Sequence, residues 1–139
     1  MRRLVLLIVT LCLALPAAAE RKQTFGDLDV HYSAFNSAFL QPDIAAATGL
    51  VRSKQQGVLN VAVLQAGHAV PAQVSGEVKN LLGQSKALTF KMIKEDQAVY
   101  YLSQFPFEQQ EVLRFNVQLQ VGNQPAHSFD FTQEFFPEP

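Results

Sequence analysis

Cysteine is almost absent. The sequence holds one, Cys12, and it lies in an N-terminal leader that processing removes. A processed chain without thiols excludes disulfides, cysteine nucleophiles, thiolate metal sites and thiol redox chemistry. Tryptophan is missing altogether, and with it one hallmark of antibody domains. No stripe of one charge runs through the chain. Without Arg2 and Arg3, nine basic residues face twelve acidic ones, a net charge of −3. A phosphate backbone demands a basic surface, so nucleic acid is excluded as a partner. The seven glycines are dispersed and form no phosphate-cradling loop. Internal repeats and low-complexity tails are lacking as well.

Long apolar runs are scarce too. The only one spans residues 4–15, twelve residues without charge after Arg2 and Arg3. A membrane-spanning helix needs about 20. Pro16 ends the run, and Ala17 and Ala19 put small residues at the −3 and −1 positions of a cleavage site. This pattern predicts a secretory signal peptide over 1–19, cleaved after Ala19. Thr10 and Leu11 before Cys12 do not fit a lipobox. The expected product is a single domain over 20–139, periplasmic, with no membrane anchor. At this size a core suffices without disulfide staples.

Beyond the leader, hydrophobicity alternates with period two. In 27–34, Leu28, Val30, Tyr32 and Ala34 share one face, and His31 and Ser33 share the other. Segment 57–64 is apolar on both faces apart from Asn60, as in a central strand. Segments 72–82, 87–94, 98–105, 112–121 and 126–135 complete seven strands. Gly76 suggests a bulge or bend, and Leu88, Phe90 and Met92 are expected together in the core. "GNQP" at 122–125 joins the last two strands as a hairpin. The one helical stretch is 42–49, with Pro42 at its first position and Gly49 at its end. These elements predict an all-β, immunoglobulin-like antiparallel β-sandwich of about seven strands with one short helix. An up-and-down barrel is the main rival.

The chemistry-bearing residues are few. His31, His68 and His127 stand apart in sequence, without metal-ligand spacing, and read as surface residues. No Gly-x-Ser-x-Gly elbow accompanies the serines. Asp27 with Asp29, and Glu95 with Asp96, read as solvated pairs rather than a glycosidase couple. No catalytic residue, metal ligand or cofactor is assigned. The candidate binding residues are His31, Tyr32, Asn36, Ser37, Arg52 and Ser53. They cluster around "HYSAFNSAFLQP" and "GLVRSK", where alternation breaks after Ala34. Two readings compete there. Arg52 grips a ligand's carboxylate or phosphate, or it turns back on the 31–43 segment, satisfying carbonyls or pairing with Asp43. In the second reading the stretch is a corner, with Asn36 and Ser37 bonding their own turn and Phe35, Phe39 and Leu40 plugging one end of the sandwich.

The run "HYSAFNSAFLQPDIAAATGLVRSK", with "GVLNVAV" and the ending "FDFTQEFFPEP", resembles domain-of-unknown-function family 4426, small secreted proteobacterial proteins. The resemblance covers most of the processed chain; Thr48 stands where an aromatic often precedes the glycine. It implies export and an all-β domain, and no activity, cofactor or catalytic residue. The leading functional expectation is a non-catalytic binding or accessory module acting on another envelope protein. A small-ligand or metal carrier centred on His31, Asn36 and Arg52 comes second, and a hydrolase third.

Overall fold

The computed structural model describes residues 21–137; the expected leader lies outside the described residues. The strands are β1 (Arg21–Phe25), β2 (Leu28–Asn36), β3 (Gln56–Gln65), β4 (His68–Ala69), β5 (Gln73–Lys79), β6 (Ser85–Leu88), β7 (Lys91–Glu95), β8 (Ala98–Pro106), β9 (Glu111–Gln120) and β10 (His127–Phe135). A single 3-10 turn covers Ser37–Phe39, and one helix, α1, covers Pro42–Thr48. One sheet runs β1-β2-β3-β8-β7, with β4 added to β3; the other runs β10-β9-β5-β6. Every pairing is antiparallel.

This order is the immunoglobulin one. With β2, β3, β5, β7, β8, β9 and β10 taken as A to G, the first sheet carries A-B-E-D and the second C-F-G. The remaining strands extend this frame: β1 at one edge, β6 beside β5, and β4 as a two-residue return of β3. Seven strands were expected and ten are described; β1 and β4 fall outside the expected segments, and the third has a local cause. Segment 87–94 is two strands in different sheets, because the chain crosses between sheets at 89–90. Leu88 is buried, but Met92 lies on β7 and is 50% exposed rather than in the core.

The core between the sheets follows the predicted alternation. Leu28, Val30, Tyr32 and Ala34 of β2 face Phe115, Val117 and Leu119 of β9 and Phe129, Phe131 and Phe135 of β10 within one buried cluster. Its aromatic centre is dense: Phe115 stacks on Phe131 at 4.7 Å, and Phe105 meets both Phe115 and Phe135 edge-on. Rings that bury this much area dominate the stabilisation of a small core. Gly57 belongs to this arrangement. A Cβ there would lie 2.4 Å from the Phe105 ring, so the absent side chain is what lets the ring lie across β3. Gly76 makes no bulge. It stays in register with Val117 and Leu88, and a Cβ on it would sit 2.3 Å from the Asn116 carbonyl oxygen.

A second buried cluster lies on the outer face of the first sheet. Leu40, Ala45 and Leu50, with Ile44, cover Val58, Leu102, Phe35 and Ile93. Helix α1 is therefore a lid on half of that face, and this explains why β3 is apolar on both sides. Gly49, at φ +73, ends the helix in the left-handed region that glycine adopts at least cost. The Lys91 ammonium donates to the Thr48 carbonyl at 3.1 Å, placing a cation at the helix C-terminus and tying it to β7.

Candidate functional site

The candidate residues divide between two places. Alternation in β2 does not stop at Ala34; it continues to Asn36, which is buried at 6% exposure. The Asn36 side chain accepts from the Ala38 N–H at 2.9 Å and donates to the carbonyls of Lys54 (3.1 Å) and Phe136 (3.3 Å). One amide thus ties the end of β2 to the 54 loop and to the chain leaving β10. Ser37, fully buried, donates its hydroxyl to the Ser53 carbonyl at 2.9 Å and accepts from the Ser53 N–H at 2.8 Å. The Arg52 guanidinium donates to the Ala38 carbonyl at 3.3 Å. Asn36, Ser37, Arg52 and Ser53 together latch the corner that carries the chain from β2 to β3. Leu40 is buried under the helix here, while Phe39 is 68% exposed and plugs nothing.

His31 lies elsewhere. It sits five residues before Asn36 on the opposite face of β2, about 17 Å along the strand. Tyr32 turns inward, its ring 4.8 Å from Phe129 and 4.7 Å from Phe131. His31 opens instead onto the uncovered half of the outer face, in a trough of about 880 Å³. Its floor is His31, Ser33, Asn60, Ala62 and Tyr100, its walls Gly67-His68-Ala69 and Gln97-Ala98-Val99. Among the described residues lining it, none is Asp, Glu, Lys or Arg. The Asn60 Oδ1 is buried and has no hydrogen-bond partner.

Sheet register creates this trough. β8 pairs with β3 from Gln56↔Pro106 only as far as Val61↔Tyr101. Beyond that point β4 takes the place beside β3, through Leu64↔Ala69 and Gln65↔His68. The start of β8 remains paired with β7 alone, through Ala98. The sheet splits between β4 and β8, and the split is the trough. Two tight turns hold its rims, Ala66-Gly67 with both φ positive and Asp96-Gln97 with Asp96 at φ 55. Asp96 stands out in the sequence only as half of a solvated pair, and nothing there shows that these residues rim one trough, because they meet only through register.

The chemistry available is limited. The trough offers imidazoles, amides, hydroxyls and an aromatic face. Its described lining supplies no carboxylate to complete a Ser–His–acid arrangement. Among the described residues no group of three or more His, Cys, Asp or Glu side chains is placed to hold a metal ion. His127, expected at the surface, stacks on Phe25 at 4.6 Å and closes the edge between β1 and β10.

An immunoglobulin-ordered sandwich with a latched corner and a split-sheet trough places the protein among β-sandwich domains whose distinctive surfaces lie on loops and strand ends. The sequence profile of the domain of unknown function DUF4426 matches residues 22–138, and the chain belongs to that family. The crystal structure of a DUF4426 family protein from Pseudomonas aeruginosa PAO1 is similar, with a TM-score of 0.82 and 48% identity over 87% of this chain and 98% of that one. FetP of uropathogenic Escherichia coli strain F11, isolated after recombinant expression in the periplasm, matches with a TM-score of 0.64 and 12% identity over 87% of this chain and 96% of that one. A copper-bound variant of FetP matches at the same TM-score and identity, over 92% of its length. At 12% identity the likeness is one of fold. No protein of curated function matches the sequence. Among the described residues no helix is long and apolar enough to cross a membrane.

Proposed function

We propose that this is a non-catalytic binding module of the bacterial periplasm that engages another envelope protein through the trough. The supporting observation is the trough itself: a hollow on the sheet, with hydrogen-bonding groups and an aromatic face but no Asp, Glu, Lys or Arg among its described lining. Its volume falls in the range of natural binding sites. The corner residues have their hydrogen bonds committed to backbone groups, which leaves them a structural part. The leader read from the sequence supports export, and the charge balance supports a protein partner over nucleic acid.

The test is site-specific photocrosslinking in intact cells from His68 and Gln97 on the trough, with Gln118 of β9 as the control. The expected result is one reproducible adduct with an envelope protein from both trough positions, weakened by Asn60→Leu and absent from Gln118. Equal adducts from Gln118 overturn the proposal, as does the absence of any adduct from the trough.

A second reading, metal carriage, is favoured by one observation: His31 and His68 line the same trough. The copper-bound fold relative keeps it open. Calorimetric titration of the processed protein with Cu(II) tests it. The reading requires one-to-one binding that both His31→Ala and His68→Ala abolish, and fails if either variant binds as the parent does.

A further inference from the structure

The split sheet leaves two strand edges facing each other, and the alternation of backbone groups shows what those edges present. In an antiparallel ladder each residue directs both its N–H and its C=O to the same side, and successive residues alternate sides. The Phe107 N–H donates to the Gln55 carbonyl at 2.9 Å, which fixes the parity of the β3–β8 ladder. Odd-numbered residues of β8, including Tyr101, direct their backbone groups toward β3. Val99 is the next in that series, but β3 no longer lies beside it. Its N–H and C=O therefore point into the trough, while its side chain packs on the core. On the opposite rim the Val70 N–H donates to the Val63 carbonyl at 3.1 Å. By the same alternation Ala69, which faces Leu64 in the ladder, directs its N–H and C=O away from β3 and into the trough.

We infer that the partner is recognised by strand addition: an extended, uncharged segment of about four residues inserts between β4 and β8, antiparallel to both, and bonds the backbone of Ala69 and Val99. This deepens the proposed function and rests on it. β4 and β8 both run antiparallel to β3, so a strand parallel to β3 completes both ladders at once. The lining, without Asp, Glu, Lys or Arg among its described residues, sets the chemistry of the occupant. A charged side chain pointing into the trough would meet no opposite charge among the described lining residues and would lose water for nothing in return. Selectivity falls to side chains that reach Tyr100, Asn60 and His31 on every second residue.

The probe is a phage-displayed library of linear heptapeptides selected on the processed protein. Selected peptides are expected to be uncharged over the bound stretch. On binding, amide hydrogen exchange at Val99 and Ala69 should slow at least tenfold. N-methylation of the peptide residue opposite Val99, or of the residue opposite Ala69, which point to opposite sides of the inserted strand, should each weaken binding at least tenfold, and methylation outside the bound stretch should change it less than twofold. Val99→Pro, which removes the N–H that Val99 offers to the inserted strand but no β7 bond, should weaken binding comparably while leaving the circular dichroism of the free protein unchanged. The exchange measurement on the parent protein stands even if that variant does not fold. Peptides that bind in the trough, losing affinity in Tyr100→Ala, but leave Val99 and Ala69 exchange unchanged overturn strand addition and leave the trough reading intact. Peptides that bind outside the trough, or a library that yields none, overturn both.

Discussion

Replacing Asn36 by aspartate exchanges one heavy atom, the amide nitrogen for an oxygen, and should be severe at neutral pH. The aspartate keeps the acceptor for the Ala38 N–H but loses both donors, and its second oxygen then faces the carbonyls of Lys54 and Phe136. Two lost hydrogen bonds cost about 0.5–1.5 kcal/mol each. The site is 6% exposed, and the new oxygen faces two carbonyls while the Arg52 guanidinium is held on the Ala38 carbonyl, so burial and the two carbonyl dipoles raise the carboxyl pKa above its unfolded value. A rise of about 2 units adds about 2.7 kcal/mol, for a total near ~4–5 kcal/mol at pH 7, a large part of a small domain's stability. The folded state then holds the proton more tightly than the unfolded state. The ionisation penalty is full above the folded pKa, shrinks as pH falls, and vanishes below about 3.9. At pH 4.5 it should be about 1 kcal/mol by the same linkage. Asn36→Ala should cost about 2 kcal/mol at both pH values, by loss of the bonds alone. Urea unfolding followed by far-UV circular dichroism at pH 7 and 4.5 measures both variants. The reasoning is refuted if Asn36→Asp is as stable as the parent at pH 7, or if its deficit is the same at both pH values.

Two serines should respond in opposite ways. Ser37→Ala removes the hydroxyl that serves both backbone groups of Ser53 and should cost about 2 kcal/mol. Ser103→Ala removes a buried hydroxyl with no partner and should be neutral or stabilising in the same unfolding assay. Gly57→Ala drives a methyl against the Phe105 ring and should lower stability by about 1–3 kcal/mol, seen as a reduced melting temperature. Ala66→Asn should stabilise by about 0.5 kcal/mol in calorimetry, because asparagine tolerates the φ of 51 better than alanine.

The sandwich was legible because β2, β9 and β10 alternate, β3 is apolar on both faces as a central strand is, and the turns between strands carry glycine or proline. The cross-over inside 87–94 was not. Leu88, Phe90 and Met92 keep step in sequence while the chain changes sheets, and period two is blind to that change. The end of β2 was misjudged for a related reason. Asn36 is a polar residue at an inward position, and its burial depends on carbonyls 18 and 100 residues away. The corner's Arg52 contact with Ala38 matches one of the two readings weighed for it. The trough lay beyond sequence reading, since His31, Asn60, His68 and Tyr100 converge only once β4 displaces β8 from β3.

That the trough rather than the corner meets the partner is tested most directly by nuclear magnetic resonance. The 15N-labelled processed protein is titrated with the soluble domain of the crosslinked envelope protein, and amide shifts are followed. The account predicts the largest changes at His31, Ser33, Asn60, Gly67 to Ala69 and Gln97 to Tyr100. Changes centred on Asn36 to Phe39 and Arg52-Ser53, or on the outer face of β9 and β10, would contradict it.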